Sequence, residues 1–192
     1  MKKTLRVVLL CMVLVALSIS AGNAQEQKWN FTFKGGLLMP GAVTIDPPGR
    51  DFDTGIGWLA NAYFDAMVAP KLSFGGFVLL SGPSVTVLGD DYGVTVTTLG
   101  ATVKGRFTLG NGMQLRPGLA IGYQMINTDA VDEGTKGLDV GGIFEIVKPL
   151  ANSKNALVGE VGFITQPSGG NEDVDVTFGP IFYLLFGYEF GG

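Results

Sequence analysis

Val174 to Phe190 reads V-D-V-T-F-G-P-I-F-Y-L-L-F-G-Y-E-F. Its even positions, Val174, Val176, Phe178, Pro180, Phe182, Leu184, Phe186, Tyr188 and Phe190, form one unbroken apolar and aromatic series. Its odd positions, Asp175, Thr177, Gly179, Ile181, Tyr183, Leu185, Gly187 and Glu189, are polar or small at both ends. A period of two marks a β-strand whose two faces meet different surroundings. The stretch is longer than an ordinary globular strand. A soluble sandwich would cover the apolar face with a second sheet. A membrane barrel would turn it to lipid and turn the other face to a lumen.

The same alternation recurs upstream. Trp29, Phe31, Phe33 and Leu37 oppose Asn30, Thr32 and Lys34; Trp58, Ala60, Ala62 and Phe64 oppose Asn61, Tyr63 and Asp65. Leu72, Phe74, Val78 and Leu80 oppose Ser73, Phe77 and Leu79. Leu99, Ala101, Val103 and Phe107 oppose Thr102, Lys104 and Arg106, and the preceding Val94–Thr98 run is out of phase, which predicts a bulge near Thr98. Asn111-Gly112 is a hairpin signal and leads into Leu115, Leu119, Ile121 and Tyr123 against Arg116, Ala120 and Gln124. Segments near 138–147 and 156–166 follow the same rule, with Glu145 and Glu160 on their polar faces. Together with the last stretch these give eight strands and one domain. Long polar connections (39–53, 82–91, 127–137, 167–173) alternate with tight turns, the asymmetry of up-and-down membrane barrels.

The first 24 residues read as a removable secretory signal. Lys2, Lys3 and Arg6 precede an apolar run from Val7 to Ile19, and Ser20-Ala21-Gly22-Asn23-Ala24 supplies small residues for cleavage after Ala24. Residues 25–192 form the mature domain. Cys11, the single cysteine, leaves with the signal, so the mature chain has no thiol chemistry. The three lost cations take the net charge from −4 to −7, which does not suit a nucleic-acid partner. Thirty glycines and few helix-type patterns indicate an all-β chain.

With these strands, the hairpin Tyr63-Phe64-Asp65-Ala66-Met67-Val68-Ala69-Pro70-Lys71-Leu72-Ser73-Phe74 and the aromatic final strand, the chain resembles the OmpA/OmpX-like and OmpW-like small outer-membrane β-barrels over Trp29 to Phe190. The resemblance implies an eight-stranded antiparallel up-and-down transmembrane barrel in a Gram-negative outer membrane, with both termini in the periplasm. Its surroundings would be outer-membrane lipid and lipopolysaccharide. The barrel-assembly machinery would read Tyr188 and Phe190 as an assembly signal, although Gly191 and Gly192 follow where the family usually stops.

The chain has no histidine. Small barrels that resemble lipid A-modifying enzymes or outer-membrane proteases use histidine as a base, and no Ser-His or Asp-His pair can be built here. No carboxylate pair is singled out by spacing, and nothing calls for a cofactor or a metal. The reading is therefore non-enzymatic. Acids of the long connections, Asp46, Asp51, Asp53, Asp90, Asp91, Asp129, Asp132, Glu133, Glu172 and Asp173, read as solvated loops, with weak divalent-cation bridging to lipopolysaccharide as the sharper alternative.

Strand phase turns eight charged residues inward: Lys34, Asp65, Lys104, Arg106, Arg116, Glu145, Glu160 and Glu189. An eight-stranded barrel is only just wide enough for side chains, so these are expected to pair and close the lumen, which favours a structural or interaction role. Above them lie inward Leu59, Phe77, Leu79, Ile181, Tyr183 and Leu185. They read either as a packed plug or as an apolar pocket open to the outside. The pocket is the basis of the second functional reading, a conduit or binder for small hydrophobic molecules.

Overall fold

The structure is a computed structural model that describes residues 29–46, 49–87, 90–128, 135–170 and 175–191. The expected signal segment lies outside them, as do Asp129, Asp132, Glu133, Glu172 and Asp173. The described residues form one antiparallel sheet of twelve strands, and none of their helices is long and apolar enough to cross a membrane.

The strands are β1 (Trp29–Leu38), β2 (Gly41–Asp46), β3 (Arg50–Thr54), β4 (Gly57–Ala69), β5 (Leu72–Gly82), β6 (Ser84–Val87), β7 (Asp90–Gly105), β8 (Phe107–Thr108), β9 (Gln114–Thr128), β10 (Thr135–Pro149), β11 (Ala156–Gly170) and β12 (Asp175–Gly191). The longer ones pair in a circuit. β1 pairs with β4, β4 with β5, β5 with β7, β7 with β9, β9 with β10, β10 with β11, β11 with β12, and β12 with β1 again. No strand of the circuit is left with an open edge, so backbone polar groups along it find partners within the sheet.

Twelve strands stand where the sequence suggests eight because four strands are broken. Pro40, Gly55-Ile56, Pro83 and Arg106 fall at the breaks. A proline offers no N–H to the ladder, so the strand is interrupted at that residue. Register carries across three of the breaks. Leu38 lies opposite Tyr183 and Thr44 opposite Thr177; Leu72 opposite Gly105 and Ser84 opposite Gly93; Lys104 opposite Gly118 and Phe107 opposite Leu115. The stretches 39–53 and 82–91, expected as loops, are therefore largely sheet.

Two further expectations are corrected. Val94, Val96, Thr98, Thr102 and Lys104 are all buried in one phase, and β7 pairs without a shift on both sides, so there is no bulge near Thr98. Val94 and Val96 are inward apolar residues that join Leu59, Phe77 and Leu79. The second correction concerns β12. Its even series is not one face: Val176 and Phe178 are buried, then Ile181, Tyr183 and Leu185 are. The phase changes at Gly179-Pro180, where the pairing with β11 shifts between Ile164 and Gln166. The adjoining strands change at the same level. Leu38 and then Val43 face inward around Pro40, as do Thr54 and then Leu59 around Gly55-Ile56. Trp58 lies opposite Gly82 but Thr54 opposite Val85, a slip of one residue that absorbs the change.

Away from these points the alternation is regular. Trp58, Phe64, Leu119, Tyr123, Val161, Phe182 and Phe186 are half or more exposed and share the outer face. A continuous apolar exterior of this extent is foreign to a soluble monomer.

Candidate functional site

Inside the sheet, most of the charged side chains sit toward the tight turns, and the larger apolar cluster lies toward the long connections. Three of the four cations form a linked buried layer with the four acids. Lys34 Nζ lies 2.5 Å from Glu145 Oε1 and also pairs with Glu160. Lys104 Nζ lies 2.9 Å from Asp65 Oδ2 and 2.9 Å from the same Glu145 oxygen. Arg116 pairs with both oxygens of Glu189, with Nη2 to Oε1 at 2.9 Å, and its Nη1 stands 3.9 Å from Glu145 Oε2. Glu145 is thus the acceptor shared by β1, β7 and β9. Its place follows from register, since it lies directly opposite Arg116.

Each of these ions would cost several kcal/mol if buried alone, so their pairing is what makes the layer tolerable. Tyr63 completes it. Lys34 Nζ and Lys104 Nζ stand 4.0 Å and 3.9 Å from the centre of its ring, in cation–π geometry. Thr102 Oγ1 donates to Asp65 at 3.3 Å, and Gln114 Oε1 accepts from Arg116 Nε at 3.0 Å and Nη2 at 2.8 Å. Small residues make room. Gly118 lies opposite Lys104 and Gly187 opposite Lys34; a Cβ at Gly118 would come within 2.8 Å of Lys104 Cγ, and one at Gly187 would meet Lys34 at 2.5 Å.

The structure places Arg106 apart from this layer. It forms no ion pair among the described residues. With the Asn30 amide oxygen turned toward it, Asn30 accepts from Arg106 Nη2 at 2.6 Å and Nη1 at 2.9 Å. Asp65 pairs with Lys104 and with neither arginine among the described residues. Asp139 is also inward and 3% exposed, yet belongs to no ion pair among the described residues. Tyr63, Thr102, Gln114 and Asn30 were not singled out by sequence. Their inward phase was legible, but their contacts depend on which strands meet across the interior.

Leu59, Phe77, Leu79, Ile181, Tyr183 and Leu185 are brought together. They form one buried cluster with Leu38, Val43, Val94, Val96, Ile126, Ile143, Val176 and Phe178. A cavity of about 20 Å³ remains beside Leu38, Val96, Phe178 and Ile181, room for about one water molecule. With so little space left beside them, these side chains pack against one another. Tyr188 and Phe190 are on the outer face of β12, with ring centres 4.8 Å apart. Among the described residues no group of His, Cys, Asp and Glu is arranged to hold a metal ion.

No family model and no curated protein sequence matches the chain. Solved structures do. Neisserial surface protein A superposes with a TM-score of 0.55 at 9% identity, over 85% of this chain and 96% of that one. Ail, the attachment invasion locus protein of Yersinia pestis, crystallised with the heparin analogue sucrose octasulfate, gives 0.52 at 14% identity, over 86% and 100%. Both are small outer-membrane β-barrels. The closed circuit of strands, its apolar exterior and these superpositions together show that the chain has the fold of the small outer-membrane β-barrels, the family its sequence resembles.

Proposed function

We propose that the mature chain, freed of residues 1–24, is a non-enzymatic eight-stranded barrel spanning a bacterial outer membrane, with a structural or interaction role and a lumen closed to solute flow. The circuit supplies the eight staves once the broken strands are counted as one each. One observation carries the reading: an apolar exterior surrounds a buried, charge-paired interior layer, the inverse of a soluble barrel. Lipid and lipopolysaccharide are the surroundings this exterior fits. The tight turns, Trp29 and Gly191 lie at one end, assigned to the periplasm, and Tyr188 and Phe190 serve the assembly machinery there. The packed apolar cluster favours closure over a hydrophobic conduit.

The test is fractionation combined with conductance. The protein is expected in outer membranes, with an electrophoretic mobility that shifts only on boiling, and to give no stable ion current in planar bilayers. Recovery in the soluble periplasm defeats the membrane assignment. A steady ohmic current defeats the closed lumen alone.

A further inference from the structure

We propose that the tight-turn end of the interior is a binding site for a small organic anion, a carboxylate or phosphate on a compact body, held by Arg106 and Lys154. A cavity of about 950 Å³ lies there, between the β4–β5, β8–β9 and β10–β11 turns and the ends of β1 and β12. This is within the range of small-molecule sites. Among the described residues its wall carries three cations, Arg106, Arg116 and Lys154, and one carboxylate, Glu189, for a net charge of +2.

That carboxylate is already committed. Glu189 is paired through both oxygens to Arg116 and accepts from Thr32 at 3.4 Å. The positive charge left over belongs to Arg106 and Lys154, neither in an ion pair among the described residues. Arg106 is not free to retreat. Lys104 lies opposite Gly118 and Phe107 opposite Leu115, so Arg106 faces Arg116 across adjacent strands. Arg106 thus brings a second guanidinium beside the Arg116–Glu189 pair with no carboxylate of its own among the described residues, and a guanidinium meets carboxylate or phosphate with paired, charge-assisted hydrogen bonds. A cation is disfavoured by the same wall. The rest of the lining includes Met67, Val147 and Pro149, which suits an organic body better than a bare inorganic ion.

The site rests on the functional reading only for placing its mouth in the periplasm; binding itself does not depend on it. The experiment uses the mature protein folded in maltoside micelles, which carry neither charge nor phosphate. Glucose 6-phosphate and N-acetyl-dialanine are titrated by calorimetry, with glucose and N-acetyl-dialanine amide as neutral counterparts. At least one anion is expected to bind and both neutral compounds to fail; which anion binds names the ligand chemistry. Arg106→Gln is expected to weaken binding at least about tenfold, and Lys154→Gln, on an exposed turn where folding is not at stake, severalfold. No binding of either anion, equal binding of a neutral counterpart, or unchanged binding in Lys154→Gln together with unchanged binding or misfolding in Arg106→Gln overturns the site. These outcomes leave the fractionation result untouched, so the two readings fail separately.

Discussion

Lys104→Met is expected to destabilise the folded protein by about 3–5 kcal/mol, the cost of leaving one member of a buried ion pair without its partner. Lys104 is fully buried, and its Nζ is the only cation within pairing distance of Asp65 among the described residues. Methionine keeps the length and apolar stem of the side chain, so loss of volume is not the cause. Glu145 retains Lys34 at 2.5 Å, so the stranded charge is Asp65. Adding Asp65→Asn should recover most of the loss, because removing both ions of a buried pair is often close to neutral. Urea unfolding of the single and double variants in lipid vesicles measures both. A double variant as unstable as the single one would mean that the lysine matters through packing.

Leu119→Arg is expected to cost about 2–4 kcal/mol in a bilayer, the range for a cation on the lipid face near the membrane midplane. Leu119 is 64% exposed and lies mid-strand, flanked by Val103 of β7 and Gly142 of β10. On a water-facing surface the same change would alter stability by no more than a few tenths of a kcal/mol. Comparing Leu119→Arg with Lys148→Arg, at the exposed end of β10, separates lipid from water as the outer solvent. No difference between them would remove the membrane from the account.

Much of this architecture is legible in the sequence because strand phase is a local property. Lys34, Asp65, Lys104, Arg116, Glu145, Glu160 and Glu189 all face inward as their neighbours' alternation requires. What phase cannot give is which strands meet across the interior. Asp65 joins Lys104, and Arg106, which its phase places with the layer, lies outside it. Connections 39–53 and 82–91 looked like loops because prolines, glycines and acids dominate them, yet β2, β3 and β6 are held there by pairing with neighbouring strands. The β12 series misled for a different reason. The residues that turn inward on either side of Gly179-Pro180, Val176, Phe178, Ile181, Tyr183 and Leu185, are as apolar as those that turn outward, so the phase change leaves no mark in hydrophobicity.

The change of phase at Pro40, Gly55-Ile56 and Gly179-Pro180 divides three neighbouring strands of the wall into two tiers, while β7 and β9 run through in one phase. Both prolines lack an amide hydrogen, so neither donates to the ladder at that height. The lower tier is locked by its ions. The upper tier, from β2, β3 and β6 to the upper parts of β7, β9, β10, β11 and β12, is held by the backbone ladder and the apolar plug. Local opening follows such joints. The amides beside these joints are therefore expected to exchange with solvent sooner than those of the ion-paired base, a difference that hydrogen-exchange mass spectrometry measures.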